Sequence, residues 1–467
     1  MSDKLNFPRF AVVGHPNKGK SSLVAALTRR DDVAISDYAG TTKARRAYRL
    51  EVDGEVLLEL IDTPGFQRAR TLLAWLDKHQ GDALLRSEAI AAFVAQHRED
   101  ETFADEVELL TPIVEGAGII YVVDGSKPYS ADYEAEMEIL RRCGRPSLAV
   151  INRIDDKDYT DAWRKALSGY FNIVRTYNPV KARLQDHLAL LEALGHADER
   201  WLPMLQKTVR RLKTDDERKL QQSARIIVQA LFGALTHKET LRLMGKEPGK
   251  REREMLQERY KTALRRIETQ ARRDLKEVWR HRRIDEHGDD GYGALPDLFS
   301  KESASIFGLS KKELLLAGAL TGAATGAGID MLFVGHTLFA GGAIGAVAGA
   351  AGAYLAFDKL ADVRILGRQA GSYVLEIGGI KERNFPYILT GRLMYAAYRL
   401  ATLSHADRSE VDLTPDASFR HRWMDDATSR KLENYFAKIR KGKAGVDEKA
   451  RMVDVLTQRL QRLLEEV

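Results

Sequence analysis

Cysteine is almost missing from this sequence. Cys143 is the only one among 467 residues, so no disulfide can close within the chain, no cluster of thiolates can hold a metal, and a reducing compartment is the simple expectation. Histidine is sparse as well: none of the 11 falls in metal-ligand spacing, and His405 and His421 read as ordinary surface or core residues. Residues 1–13 contain no apolar run behind a basic start, so no cleaved signal peptide is expected. Aromatic residues, 8% of the chain, do not interleave with the basic stretches as in an RNA-binding module. Charge, by contrast, is plentiful. Lys and Arg number 73 against 67 Asp and Glu, giving a formal net charge of +6 and a pI near 9.1. An anionic partner surface is implied, and nucleic acid and acidic lipid headgroups both qualify. The length exceeds one ordinary core, so about two to four domains are expected.

What the chain does have begins at Gly14. Gly14 to Ser21 reads Gly-His-Pro-Asn-Lys-Gly-Lys-Ser and fits the phosphate-binding pattern G-x-x-x-x-G-K-[ST] at every fixed position. Gly14 and Gly19 permit the tight turn that points successive amides at a β-phosphate, joined by the amides of Asn17, Lys18 and Ser22. Lys20 brings a mobile cation to the β- and γ-phosphates, and Ser21 offers a hydroxyl to Mg²⁺. A helix over Lys20 to Thr28 aims its positive end at the same anion. The apolar run Phe10 to Val13 before it reads as a buried parallel strand. Further on, Arg49 to Val52 and Val56 to Ile61 flank the turn Asp53-Gly54 as a hairpin, and the second strand runs into Asp62-Thr-Pro-Gly65. That places a carboxylate at a strand end, where it can hold Mg²⁺ through water, and the Gly65 amide beside the γ-phosphate.

Together with Gly40-Thr41-Thr42-Lys43 and Asn152-Arg-Ile-Asp155, these motifs resemble the translation-factor-related GTPases, most closely the branch containing Era and MnmE. The resemblance implies GTP as the nucleotide, with Thr42 closing over the γ-phosphate and coordinating Mg²⁺ beside Ser21 and Asp62. Lys20, Thr42 and Gly65 become the catalytic set. Asp155 accepts from the guanine N1 and N2 groups, and Asn152 supports the base and the loop. Arg153 stands where the family has a lysine over the base. Near Asn178-Pro179 the usual guanine-contacting amide has no obvious bearer, since Pro179 lacks an N–H. Phe66 stands where many GTPases carry the glutamine that orients water, and Gln67 is one position too late. Hydrophobic residues there go, in the family resembled, with activation by a partner or a monovalent cation, and Asn17 occupies the place of the asparagine that helps to hold K⁺.

The distance from Gly65 to the next buried run, Ala117 to Asp124, leaves room for a helical insertion at about 67–116, including Thr71 to Trp75 and Leu84 to His97. The expected organisation is an α/β P-loop GTPase domain over 1–190, a mostly parallel sheet with helices on both faces. A charged helical region follows at 196–286, a linker at 287–310, a Gly/Ala-rich helical hairpin at 311–360 and a small α+β domain at 361–467. In the second region Ala224, Ile227, Val228, Leu231 and Leu235 share a helical face, as do Leu256, Tyr260, Leu264, Ile267, Ala271, Leu275 and Val278. Around the latter stripe the net charge is roughly +7, open to a solvated face, RNA or acidic lipid. Leu314 to Val334 carries one charge, Asp330, and Leu338 to Phe357 none; each is long enough, at about 30 Å, to cross a bilayer core. Glycines at every fourth position permit close helix packing, and Lys311, Lys312 and Lys359 mark the open end. The whole resembles bacterial GTPases fused to a C-terminal domain of unknown function. A GTP/GDP switch at the cytoplasmic face of a membrane is the leading expectation. A ribosome- or RNA-associated GTPase and a scaffold self-associating, as a homodimer, through the Leu256 to Val278 stripe are the alternatives.

Overall fold

The computed structural model describes residues 7–33, 44–79, 86–244, 247–281, 295–310, 313–314, 360–369, 372–407, 415 and 418–466. Thr42 and nearly all of the Gly/Ala-rich stretch therefore lie outside the described residues. Two compact units divide the chain, one of residues 1–216 with 403–410 and one of residues 217–402 with 411–467.

In the first unit six strands stand in the order β2-β3-β1-β4-β5-β6: β1 Arg9–Val13, β2 Arg46–Val52, β3 Glu55–Asp62, β4 Gly118–Asp124, β5 Ser147–Asn152 and β6 Val174–Thr176. Only β2 pairs antiparallel, through the turn in which Asp53 and Gly54 both have positive φ. Alternation along each strand feeds two cores. Phe10, Val12, Ile120, Val122, Leu148 and Val150 pack with α1 (Lys20–Thr28), α7 (Leu184–Gly195) and the start of α8 (Leu202–Thr236). Ala11, Val13, Ile119, Tyr121, Val123 and Ile151 pack with α2 (Ala69–Lys78), α3 (Arg86–Gln96), α4 (Ala104–Val114), α5 (Asp132–Arg142) and α6 (Thr160–Leu167). With both faces covered, the central strands are continuous apolar runs, as parallel sheets require. Helices α2 to α4 occupy the stretch between Gly65 and β4, and an aromatic cluster of Trp75, Phe93, His97 and Phe103 joins α2, α3 and the turn before α4.

The second unit has a three-stranded antiparallel sheet in the order β7-β9-β8: β7 Lys238–Met244, β8 Val363–Gln369 and β9 Ser372–Gly378. Its inner face, with Leu241, Leu243, Leu375 and Ile377, joins the core built by the later part of α8, by α9 (Lys250–Trp279), α10 (Lys301–Phe307) and α11 (Phe385–Thr402), and by α12 (Phe419–Trp423), α13 (Asp426–Arg440) and α14 (Val446–Glu465). Helix α11 is buried almost all round, so its apolar residues show no single stripe. In the stripe from Leu256 to Val278, Leu256, Tyr260, Leu264, Ala271 and Leu275 are buried in this unit's own core and Ile267 and Val278 pack against it, so the stripe is taken up within the unit and is not an open self-association surface. No local pattern predicts strand β7, since its partner β9 lies far along the chain. Among the described residues no helix is long and apolar enough to cross a membrane.

Candidate functional site

The chain leaves β1 at Val13 and turns over residues 14–19 into α1. Asn17 and Gly19 both take left-handed φ, +59° and +85°, and Gly19 caps α1 in that conformation. A Cβ on Gly19 would strike the Asn152 amide, so glycine is needed for space as well as for φ. Asn152 Nδ2 donates to the Lys18 carbonyl (3.1 Å), tying the end of β5 to the phosphate loop.

Lys20 is nearly buried, and its Nζ donates to the carbonyls of Gly14 (3.2 Å) and His15 (3.1 Å). Burial lowers its pKa to about 8, against the pull of Asp62, Glu136 and Asp105. A buried ammonium bonded to neutral carbonyls is a cation prepared for an anion. Ser21 Oγ donates to Asp62 Oδ2 (2.7 Å), and Ser22 follows in the first turn of α1. A hydroxyl and a carboxylate in mutual contact at a helix start are hard oxygen donors of the kind Mg²⁺ takes, so these residues fit that ion.

The stretch Thr63 to Arg68 is held at both ends. Thr63 Oγ1 donates to the Val12 carbonyl (2.8 Å), and Glu106 of α4 accepts the amides of Gln67 (2.9 Å) and Arg68 (2.6 Å). Gly65 lies so close to Pro16 that a Cβ there would sit 2.5 Å from the Pro16 nitrogen. Phe66 is 1% exposed and belongs to the core on the α2 to α6 face of the sheet. Sequence reasoning missed Glu106, which carries no motif.

It missed a second carboxylate too. Glu136 of α5, 3% exposed, accepts from the Tyr121 hydroxyl (2.9 Å) and lies 2.9 Å from His15 Nδ1, fixing the second residue of the phosphate loop. Burial, with Glu136 adding to it, pushes the Tyr121 hydroxyl well above its ordinary pKa, which keeps it a donor. Lys18 Nζ lies 3.6 Å from Asp124 Oδ2, while Asp124 Oδ1 accepts from Ser126.

The motif Asn152-Arg-Ile-Asp155 begins at the last residue of β5. Asp155 pairs with Lys127 (3.1 Å) at the surface, and that hydrogen bond raises the Lys127 pKa. Arg153 reaches Asp158 (3.3 Å). After β6, Asn178 Nδ2 donates to the Arg153 carbonyl (2.9 Å) while its Oδ1 accepts the amides of Val180 and Lys181. The structure thus brings Gly14, Asn17, Lys18, Gly19, Lys20, Ser21, Ser22, Asp62 and Gly65 to one end of the parallel sheet, with Asn152, Arg153 and Asp155 at the same end of β5, beyond β4.

Strand order, loop, helix and motif define a P-loop GTPase domain. Residues 9–153 match the 50S ribosome-binding GTPase family, and residues 164–462 match the Domain of unknown function (DUF3482). Since the second match covers more than half of the chain, the protein belongs to that family, here carried behind a GTPase domain. It is similar to GTPase Der of Vibrio cholerae serotype O1, 26% identical over 208 residues that cover 41% of this chain and 36% of Der. It is also similar to GTPase Der of Xanthomonas campestris pv. campestris, 30% identical over 151 residues that cover 32% and 26%. The chain thus spans at most 36% of the length of these relatives. Among solved structures, an Era variant of Aquifex aeolicus bound to GDP and AlF4⁻ aligns at a TM-score of 0.28 and 17% identity, over 59% of this chain and 90% of that one.

Proposed function

We propose that the protein binds GTP with Mg²⁺ and hydrolyses it to GDP and phosphate, as a switch whose state is passed to an anionic membrane surface. The observation that carries the first part is Lys20, buried against carbonyls beside the Ser21–Asp62 pair. Ser21 and Asp62, with Thr42, would hold Mg²⁺, which when bound offsets charge on the β- and γ-phosphates. Lys20 and the loop amides stabilise the bridging oxygen as the γ-phosphorus–oxygen bond breaks and water adds to phosphorus. Gly65 donates its amide to the γ-phosphate. Asp155 exchanges Lys127 for the guanine N1–H and N2–H, and Arg153 lays its planar group over the base. Pro179 has no N–H and the Val180 and Lys181 amides are taken, so we assign the guanine carbonyl to the Asn178 N–H. With Phe66 buried, Asn17 is assigned to K⁺ in place of a water-orienting glutamine.

The membrane part rests on the stretches at 314–334, with Asp330 as its one charge, and 338–357, with none, both outside the described residues apart from Leu314, and on the open face of the second sheet. Lys238, Arg242 and Met244 of β7 share that face with Arg364 of β8 and with Glu376 of β9, which pairs with Lys238 (3.0 Å) and leaves Arg242 and Arg364 as its remaining cations, and Met244 is 84% exposed. The test is phosphate release from GTP in K⁺ and in Na⁺, with and without anionic liposomes, using Lys20→Ala as the blank. Turnover above the blank is expected, faster in K⁺ and faster again on liposomes. No turnover above the blank removes the hydrolase reading; indifference to lipid removes the membrane part alone.

A further inference from the structure

Residues 403–407 follow α11 in the chain yet belong to the first unit. Ser404, 7% exposed, donates its hydroxyl to the buried Pro179 carbonyl (2.6 Å) across 225 positions of sequence, and accepts the Ala406 amide (3.1 Å). Ala406 is 2% exposed and shares a core with Tyr177 and Ala182, on either side of Pro179. His405 Nδ1 lies 2.6 Å from Asp31 Oδ1, just beyond the end of α1. The segment is therefore fastened on one side to the loop after β6 and on the other to the helix that rises from the phosphate loop.

From that anchor the bonds continue toward the nucleotide. Asn178, next to Pro179, holds the Arg153 carbonyl, and Asn152, next to Arg153, holds the Lys18 carbonyl. We propose that Ser404 is a positioning residue for the guanine base: by holding the Pro179 carbonyl it fixes the loop that carries the Asn178 amide. A residue from the C-terminal half of the chain then sets base affinity. The physical reason is the asymmetry of buried hydrogen bonds, since a carbonyl that loses its donor must turn toward water and takes its loop with it. This inference rests on the guanine-nucleotide reading above.

The experiment compares the full chain with Ser404→Ala, Ser404→Cys and Ser404→Thr, measuring release of a fluorescent GDP and, separately, binding of inorganic triphosphate. Ser404→Ala is expected to speed GDP release about fivefold to tenfold and to leave triphosphate binding unchanged, because the phosphate loop keeps its own contacts. Ser404→Cys, a weaker donor, falls between, and Ser404→Thr restores the original rate. Unchanged GDP release in Ser404→Ala overturns the proposal, as does an equal loss of GDP and triphosphate binding, which marks a merely structural role. Failure of the unaltered chain to bind GDP overturns the guanine reading and this inference together. Binding by the unaltered chain with no effect of Ser404→Ala overturns this inference alone.

Discussion

Each unit of the protein buries a cation, and the two are satisfied in opposite ways. In the second unit Arg392 of α11, 2% exposed, meets Glu268 of α9 at 2.5 Å, the Pro296 carbonyl at 2.5 Å and the Ser303 hydroxyl at 2.6 Å. In the first unit Lys20 meets two neutral carbonyls, with the carboxylates acting at longer range. Burial of charge is common to both, so burial alone does not mark a site. What marks one is a compensation that neutral groups leave incomplete. Arg392 is a lock, and Lys20 is, in the function proposed above, the receptor for an anion.

The contrast can be broken most forcefully at the lock. Glu268→Ala strands the Arg392 guanidinium and is expected to cost about 3–5 kcal/mol by denaturant unfolding, whereas replacing both Glu268 and Arg392 by Met recovers most of it. At the receptor the sign reverses. Lys20→Met removes a desolvated charge and is expected to stabilise the nucleotide-free protein by about 1–3 kcal/mol while weakening GDP at least about a hundredfold, read by thermal unfolding and by titration calorimetry.

The same lysine gives a pH dependence with two opposite arms. Its folded pKa, about 8, lies below the ordinary 10.5, so the unfolded chain binds more protons between those values. The burial penalty is present in full below pH 8 and is relieved as pH rises toward 10.5, so nucleotide-free stability from this group increases over that window. GDP affinity moves the other way, falling by up to about tenfold per pH unit above 8, because the anion must then restore the proton. Lys20→Met flattens both arms. The smallest effect belongs to the open sheet: Met244→Ser, at an 84% exposed position, is expected to change stability by less than about 0.5 kcal/mol while reducing co-sedimentation with anionic liposomes.

The receptor was legible in the sequence and the lock was not. Gly14 to Ser21, Asp62 to Gly65 and Asn152 to Asp155 are short motifs in which each residue type is dictated by one ligand, and each follows an apolar run that announces its strand. The parallel sheet could be read the same way, strand by strand, because its faces are covered by helices next to it in the chain. Glu136 reaches the first motif at His15, Glu106 holds the stretch just after Gly65 and Ser404 holds the loop after β6 at Pro179, and a single carboxylate or hydroxyl on a helix or loop has no pattern to give it away. Strand β7 escaped for a related reason: its alternation is short, it sits between two long charged helices, and its partner β9 arrives more than a hundred positions later. By sequence Phe66 reads as a missing glutamine; that it is a core residue follows from tertiary packing that no local rule supplies.

The return of residues 403–407 to the first unit also sets an order in time. The sheet and its loops have all been synthesised by residue 216, but Ser404 and Ala406 emerge about 190 positions later, on the order of 10–40 s at ordinary rates of translation. Until then the nascent chain carries a complete phosphate loop and a core around Tyr177 and Ala182 that still lacks Ala406. The GTPase unit, first to begin folding, is completed only after most of the unit behind it has been made.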